Sequence, residues 1–341
     1  MLFFRQSRAL ATSFRTLATT ATHPADVAKP RILVTGSLGQ LGIGLVSLLR
    51  QKYGNENVIA SDIRKPSPEI KAQGPYVFAD VLNMQQLETI VVDNDINWIV
   101  NLSALLSAVG EQNIDKALAI NMTGFTNTLE LARRHQLRIM CPSTIGAFGP
   151  TTPRDLTPDL TIMRPTTVYG ITKVHVELMG EYYAKRFGVD FRSLRYPGII
   201  SSDTEPGGGT TDYAVQIFHS ALKEKSYKCY LGPETSLPMM YLPDCLEGTV
   251  DFLAAPNHLL KQRTYNMAAF SFNPREIAAK IKERIPEFEM TYAPDFRQAI
   301  ADSWPKSLDD SKARQDWGWK NKFDLDAMTD DMLTALKSHH K

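Results

Sequence analysis

The sequence predicts an α/β fold built on a doubly wound parallel sheet, and three observations carry that reading. Short apolar, β-branched runs at 32–35, 58–61, 76–79 and 98–102 alternate with segments of helical spacing, as in consecutive βαβ units. The first run leads into Gly36-x-x-Gly39-x-x-Gly42, and Leu41, Leu45, Leu48 and Leu49 follow at helical spacing. The second run ends in Asp62, 20 residues beyond Gly42.

Taken in order, the strand 32–35 and the helix after it make the glycine loop a strand-to-helix turn. Missing Cβ atoms there permit a tight turn, close approach of a pyrophosphate, and packing of helix on strand. The amides at the helix N-terminus, including those around Leu38, Gln40 and Leu41, face such phosphates. A carboxylate at Asp62 accepts hydrogen bonds from ribose hydroxyls and repels a 2′-phosphate, so NAD is expected rather than NADP. Asp80-Val81 closes the third strand, where a carboxylate meets an adenine amino group. A helix is expected over 83–92, a fourth strand over 98–102, a single helix over 112–135 carrying Asn121, and a strand over 138–142 opening into Ser143-Thr144. The Pro- and Thr-rich stretch 151–165 reads as a loop over the site, with Pro165 starting the next helix. The run 191–198 reads as a strand and a turn at Pro197-Gly198. Gly207-Gly-Gly209 before Thr210, Thr211 and Asp212 suggests a closing loop, and further helices are expected over 243–253 and 273–283.

A chain of 341 residues, 43% of them hydrophobic, buries a large core in one large or two closely joined domains. No apolar run reaches the ~20 residues of a membrane span, and a net charge of +1 gives no footprint for nucleic acid or an anionic membrane. Cys141, Cys229 and Cys245 are far apart and lack zinc-ligand spacing, so neither a disulfide framework nor a metal site is expected. Residues 1–25 contain Arg5, Arg8 and Arg15, many hydroxyls and no acid before Asp26, the composition of a mitochondrial transit peptide. The expected localisation is the mitochondrial matrix.

Tyr169 and Lys173 are four apart on the expected helix, so their side chains share one face. An ammonium beside a phenol stabilises the tyrosinate by charge and makes it a usable base. Thr144, at the end of another strand, is placed to hold a substrate oxygen against it. These residues, with Thr35-Gly36-x-x-Gly39-x-x-Gly42, Asp62, Asp80 and Asn121, resemble the extended short-chain dehydrogenase/reductase family. The resemblance implies a Rossmann domain over 29–200 and a smaller C-terminal α/β substrate domain over 201–337, some of whose segments return to the core. It makes Tyr169 the acid/base, Lys173 also a ribose ligand and Thr144 the third partner. It also assigns Val81, Leu102, Ser103, Ala104, Asn121 and Tyr196 to the cofactor. Asn101-Leu-Ser-Ala104 departs from the family's usual His-x-Ala-Ala, which points Ser103 or Ser107 at substrate.

Further stretches, among them Pro206-Gly-Gly-Gly-Thr-Thr-Asp-Tyr-Ala214, Met239-Met-Tyr-Leu-Pro-Asp244 and Asp316-Trp-Gly-Trp319, are similar to the short-chain branch of the L-threonine 3-dehydrogenases. That branch implies L-threonine as substrate, 2-amino-3-oxobutyrate as product, a glycine acetyltransferase as the enzyme that consumes it, and a homodimer through helices near 112–135 and 166–188. Threonine is small and zwitterionic. Thr210, Thr211 and nearby backbone amides suit its carboxylate, Ser107, Ser143 and Thr144 face its polar groups, and Tyr241 and Trp304 are either pocket walls or core. A nucleotide-sugar epimerase or dehydratase is the alternative enzyme, and an NAD-binding regulatory protein the non-enzymatic one.

Overall fold

The computed structural model describes residues 23–203 and 209–339. Its central sheet contains β1 (Ile32–Thr35), β2 (Val58–Asp62), β3 (Tyr76–Phe78), β4 (Trp98–Asn101), β5 (Arg138–Met140), β6 (Ser143–Thr144), β7 (Asp190–Tyr196) and, after β8 (Gly198–Ile200), β9 (Ser226–Cys229) and β10 (Leu237–Tyr241), also β11 (Thr264–Asn266). The order is β11-β7-β5-β4-β1-β2-β3, with β6 on β7, and every pairing is parallel. Strand order reverses between β1 and β4, so the carboxyl ends of these two strands frame a crevice. β1, β2, β4 and β5 are buried along their whole length, because helices cover both faces, and this is why they read as continuous apolar runs.

One face is covered by α1 (Gly42–Tyr53); α2 (Pro68–Ala72) follows β2, and the other face is covered by α3 (Met84–Asp93), α6 (Phe125–His135) and α7 (Val168–Phe187), with α4 (Ser107–Gln112) and α5 (Ile114–Leu118) packed on α7. The expected single helix over 112–135 is broken. Asn113 leaves helical geometry between α4 and α5, and residues 119–124 form a π turn before α6. The next helix starts at Val168 rather than Pro165. Thr167 accepts the Gly170 amide at 3.1 Å and Glu111 accepts the Val168 amide at 2.7 Å, so these two side chains cap α7. The run after β7 is not a turn: Gly198 opens β8, which pairs with β10.

β8, β10 and β12 (Phe270–Phe272) form a second sheet, and β9 with β13 (Glu289–Tyr292) a third. They share a core with α8 (Tyr213–Lys223), α10 (Pro274–Arg284) and α13 (Leu325–His339). α9 (Leu242–Ala254) instead returns to pack on α1, and Ala313 of α12 (Ser311–Trp317), which follows α11 (Phe296–Asp302), returns with Trp319 to the same core. At the other end of the chain Ala25 is buried, its carbonyl accepting the Trp98 Nε1 proton at 2.8 Å, and Asp26 pairs with Arg138. Ala25 and Asp26, at the end of the expected leader, are thus packed into the fold. Residues 1–22 of the leader lie outside the described residues, as do Gly207 and Gly208 of the expected closing loop.

Candidate active site

A cavity of about 450 Å³ opens at the carboxyl ends of β1, β4 and β6. At one end lies the glycine loop. Gly36 has φ +68, and a Cβ there would stand 2.7 Å from the Ser103 amide nitrogen; one on Gly42 would stand 2.6 Å from the Ser37 carbonyl carbon. Only glycine lets these segments approach so closely. Gly36, Gly39, Gln40, Leu41 and Gly42 line the cavity, and α1 begins there with no side-chain cap and no acid in its first turn. Ser37 Oγ is buried without a hydrogen-bond partner among the described residues. A helix N-terminus without a side-chain cap, an unused hydroxyl and a cradle that a Cβ would fill together fit a dinucleotide pyrophosphate.

Asp62 sits just behind that loop, at the end of β2. One carboxylate oxygen accepts the Leu38 amide at 3.0 Å, and the other accepts the Arg64 amide at 3.1 Å and Arg64 Nε at 3.2 Å. This carboxylate braces the glycine loop. Asp80 lies farther out, accepting the Leu82 amide at 2.9 Å, while Val81 packs into the core against Gly124. Leu102 and Ala104 line the cavity, and Ser103 lies between them with its amide donating to Asn101 Oδ1 at 3.1 Å. Asn101, the departure from the family pattern, is buried and also bonds Thr35 and Thr128. Asn121 does not line the cavity. Its side chain brackets both backbone groups of Leu105, at 2.8 and 3.0 Å, and donates to Thr172 Oγ1 at 3.2 Å, tying the loop after β4 to α7.

Tyr169, Lys173, Thr144 and Ser143 meet at the centre. Lys173 Nζ donates to the Pro142 carbonyl at 2.7 Å and lies 5.6 Å from the centre of the Tyr169 ring, so one of its three protons is spent on the strand end. Thr144 Oγ1 accepts the Gly146 amide at 3.1 Å, which leaves its own hydroxyl proton for another acceptor. Ser143 is different: although it borders the cavity, its hydroxyl donates to the buried carboxylate of Glu177. Tyr196 gives the cavity only ring surface. Its hydroxyl pairs with Thr249 Oγ1 at 2.6 Å in the core, and burial pushes the phenol far above its ordinary range.

Ser107, Thr210, Thr211 and Trp304 close the other end. Tyr241 belongs to the core, donating to Asp331 at 2.7 Å. Sequence reasoning passed over Leu105, Leu106, Val109, Pro142, Ile145, Pro197, Gly198 and Ile199, which also line the cavity, as do Gly209 and Asp212 of the expected closing loop. Most are neighbours of motif residues, and adjacency was the available signal. Among the described residues no cluster of three His, Cys, Asp or Glu side chains gathers as a metal site.

Residues 32–268 match the NAD dependent epimerase/dehydratase family. The mitochondrial L-threonine 3-dehydrogenase of Sus scrofa is 56% identical over 314 residues, which cover 92% of this chain and 84% of that protein. The structure of L-threonine dehydrogenase from Phytophthora infestans is similar with a TM-score of 0.88 at 54% identity, covering 91% of this chain and 99% of that one. The holo form of the GalE-like L-threonine dehydrogenase from Cupriavidus necator is similar with a TM-score of 0.87 at 47% identity, covering 90% of this chain and all 100% of that one. The chain belongs to the NAD dependent epimerase/dehydratase family.

Proposed function

We propose that this protein oxidises L-threonine at its 3-hydroxyl with NAD, giving 2-amino-3-oxobutyrate. The observation that carries the reading is the meeting of Tyr169, Lys173 and Thr144 on one cavity whose far ends are the glycine loop and the Thr210, Thr211 and Trp304 wall. Tyr169 takes the hydroxyl proton, and Lys173 stabilises the resulting charge distribution. Thr144, its oxygen fixed by the Gly146 amide, donates a hydrogen bond to the substrate oxygen. The glycine loop, Asp62 and Lys173 would hold NAD, which would supply the acceptor for the hydride leaving the substrate's C3. Thr210 and Thr211 bind the carboxylate, and Trp304 covers the methyl side and excludes water.

The epimerase alternative is less well supported. A nucleotide sugar brings a second diphosphate, and among the cavity's described lining residues Lys173 is the only lysine or arginine. The similarity to threonine dehydrogenases of pig, Phytophthora infestans and Cupriavidus necator points the same way. We further propose a mitochondrial matrix location through the leader, with an acetyltransferase consuming the product. A homodimer is also proposed. Ile114, Ile171, Leu178 and Tyr182 stand exposed on α5 and α7, and the dimer would cover them. Sedimentation velocity reads the dimer directly.

The substrate is tested by absorbance of reduced nicotinamide with L-threonine, L-allo-threonine, L-serine and a UDP-sugar. L-Threonine is expected to give the signal. Serine, lacking a methyl worth about 1–3 kcal/mol, should be poor rather than silent. Conversion of the UDP-sugar, read by product analysis because an epimerase or dehydratase returns its hydride and leaves no net reduced nicotinamide, with no signal from threonine would move the chain to the epimerase reading.

A further inference from the structure

α7 buries charge where a helix ordinarily buries apolar side chains: Lys173 and Glu177, one turn apart, both face inward. Lys173 serves the site. Glu177 is 1% exposed, lies a further turn from the cavity, and plays no part in the chemistry described so far. Its two oxygens take Arg195 in a fork, Nε at 2.9 Å and Nη2 at 2.7 Å, and one of them also accepts the Ser143 hydroxyl. Ser143 and Arg195 are 2% and 3% exposed and face each other in the register of β6 with β7. Arg195 reaches further, from Nη1 to the Asp159 carbonyl at 2.7 Å and Asn266 Oδ1 at 3.1 Å, which ties in the loop after Gly149.

We propose that Ser143, Glu177 and Arg195 form a positioning clamp that sets Thr144 against Tyr169. β6 is two residues long and pairs only with β7, so its backbone ladder alone holds Thr144 weakly. The clamp joins the residue before Thr144 to the helix that carries Tyr169 and Lys173, and thus fixes the two halves of the proton-transfer set relative to one another. A buried ion pair is seldom a net source of stability, because desolvation offsets its attraction. Orientation is the property such a pair supplies well: displacing a reacting group by about 1 Å costs roughly 100-fold in rate. Ser143 therefore acts through Glu177 and not as a substrate ligand. The inference rests on the reading that Tyr169 and Thr144 carry the chemistry.

The test is Ser143→Ala, which removes one hydroxyl and leaves the Glu177–Arg195 fork intact. Kinetics with L-threonine and NAD, NAD binding and melting temperature are measured on the parent, Ser143→Ala, Glu177→Gln and the double variant, with Tyr169→Phe as control. For Ser143→Ala we expect kcat to fall roughly 10- to 100-fold, while KM for threonine, NAD affinity and melting temperature stay near the parent's. Because the two residues act as one unit, the double variant should be no slower than Glu177→Gln alone. An unchanged kcat, a raised KM at unchanged kcat, or losses that multiply in the double variant would each overturn the clamp. Should Glu177→Gln fail to fold, the kcat and KM split of Ser143→Ala decides alone. If instead Tyr169→Phe keeps the parent's turnover, it is the assignment of the chemistry that fails.

Discussion

Asp62 holds the Leu38 amide and the Arg64 guanidinium at once, and we expect cofactor choice to turn on this carboxylate. Both ribose hydroxyls of NAD can use it, whereas a 2′-phosphate meets its charge. Asp62→Ala should weaken NAD and narrow its advantage over NADP, with Arg64 left to attract the phosphate. Titration with both cofactors checks this, and an unchanged ratio contradicts the role. The aspartate was legible in the sequence because it ends an apolar run at a fixed distance from the glycine loop. Ser143 was legible only as the neighbour of Thr144. Its partner Glu177 is 34 residues away, and no local pattern shows that the hydroxyl turns inward.

The π turn at residues 119–124 shows the same limit at the level of elements. Helical periodicity runs through 112–135 almost unbroken, so the sequence reads as one helix. What interrupts it is Asn121, whose amide group is drawn to the backbone of Leu105, 16 residues earlier. That contact holds the loop bearing Leu102 and Ala104 beneath the cofactor site, and π turns recur where a helix must present a group for function. Asn121→Ala leaves the Leu105 amide and carbonyl unpaired, at a cost of about 1–3 kcal/mol if they stay buried. The expected outcome is lower NAD affinity with the fold retained, checked by NAD titration beside a thermal melt. A variant with parental affinity contradicts it. The start of α7 was misplaced for a related reason: Pro165 is a good first helical residue, but Thr167 and Glu111 cap the helix so that it begins only at Val168, and Glu111 is 57 residues away from Val168.

Over the whole molecule, the alternation of strands and helices made the parallel sheet readable, because strands buried on both faces are apolar throughout. Among the exceptions are the charges at the amino ends of β5 and β7. Asp190 is buried between Arg138 Nε at 2.6 Å and Arg192 Nε at 2.9 Å, and the two arginines also bind carbonyls at the end of α9. Burial raises the Asp190 pKa, but Arg192 and Arg138 outweigh it and hold the carboxyl below the usual aspartate range. Since the folded value is the lower one, the stability it contributes is complete above the unfolded pKa and is lost as pH falls through the folded one. Asp190→Asn should cost about 3–5 kcal/mol at neutral pH, by leaving buried arginines unpaired, and should flatten the acid limb of stability. Urea unfolding at neutral and acid pH reads both effects. The central claim, that Tyr169 is the base in threonine oxidation, is tested most directly by turnover of Tyr169→Phe with L-threonine and NAD, alongside NAD affinity of the same sample. The account predicts a loss of roughly 10²- to 10⁴-fold in rate with NAD affinity nearly unchanged; a loss of less than about tenfold would contradict it.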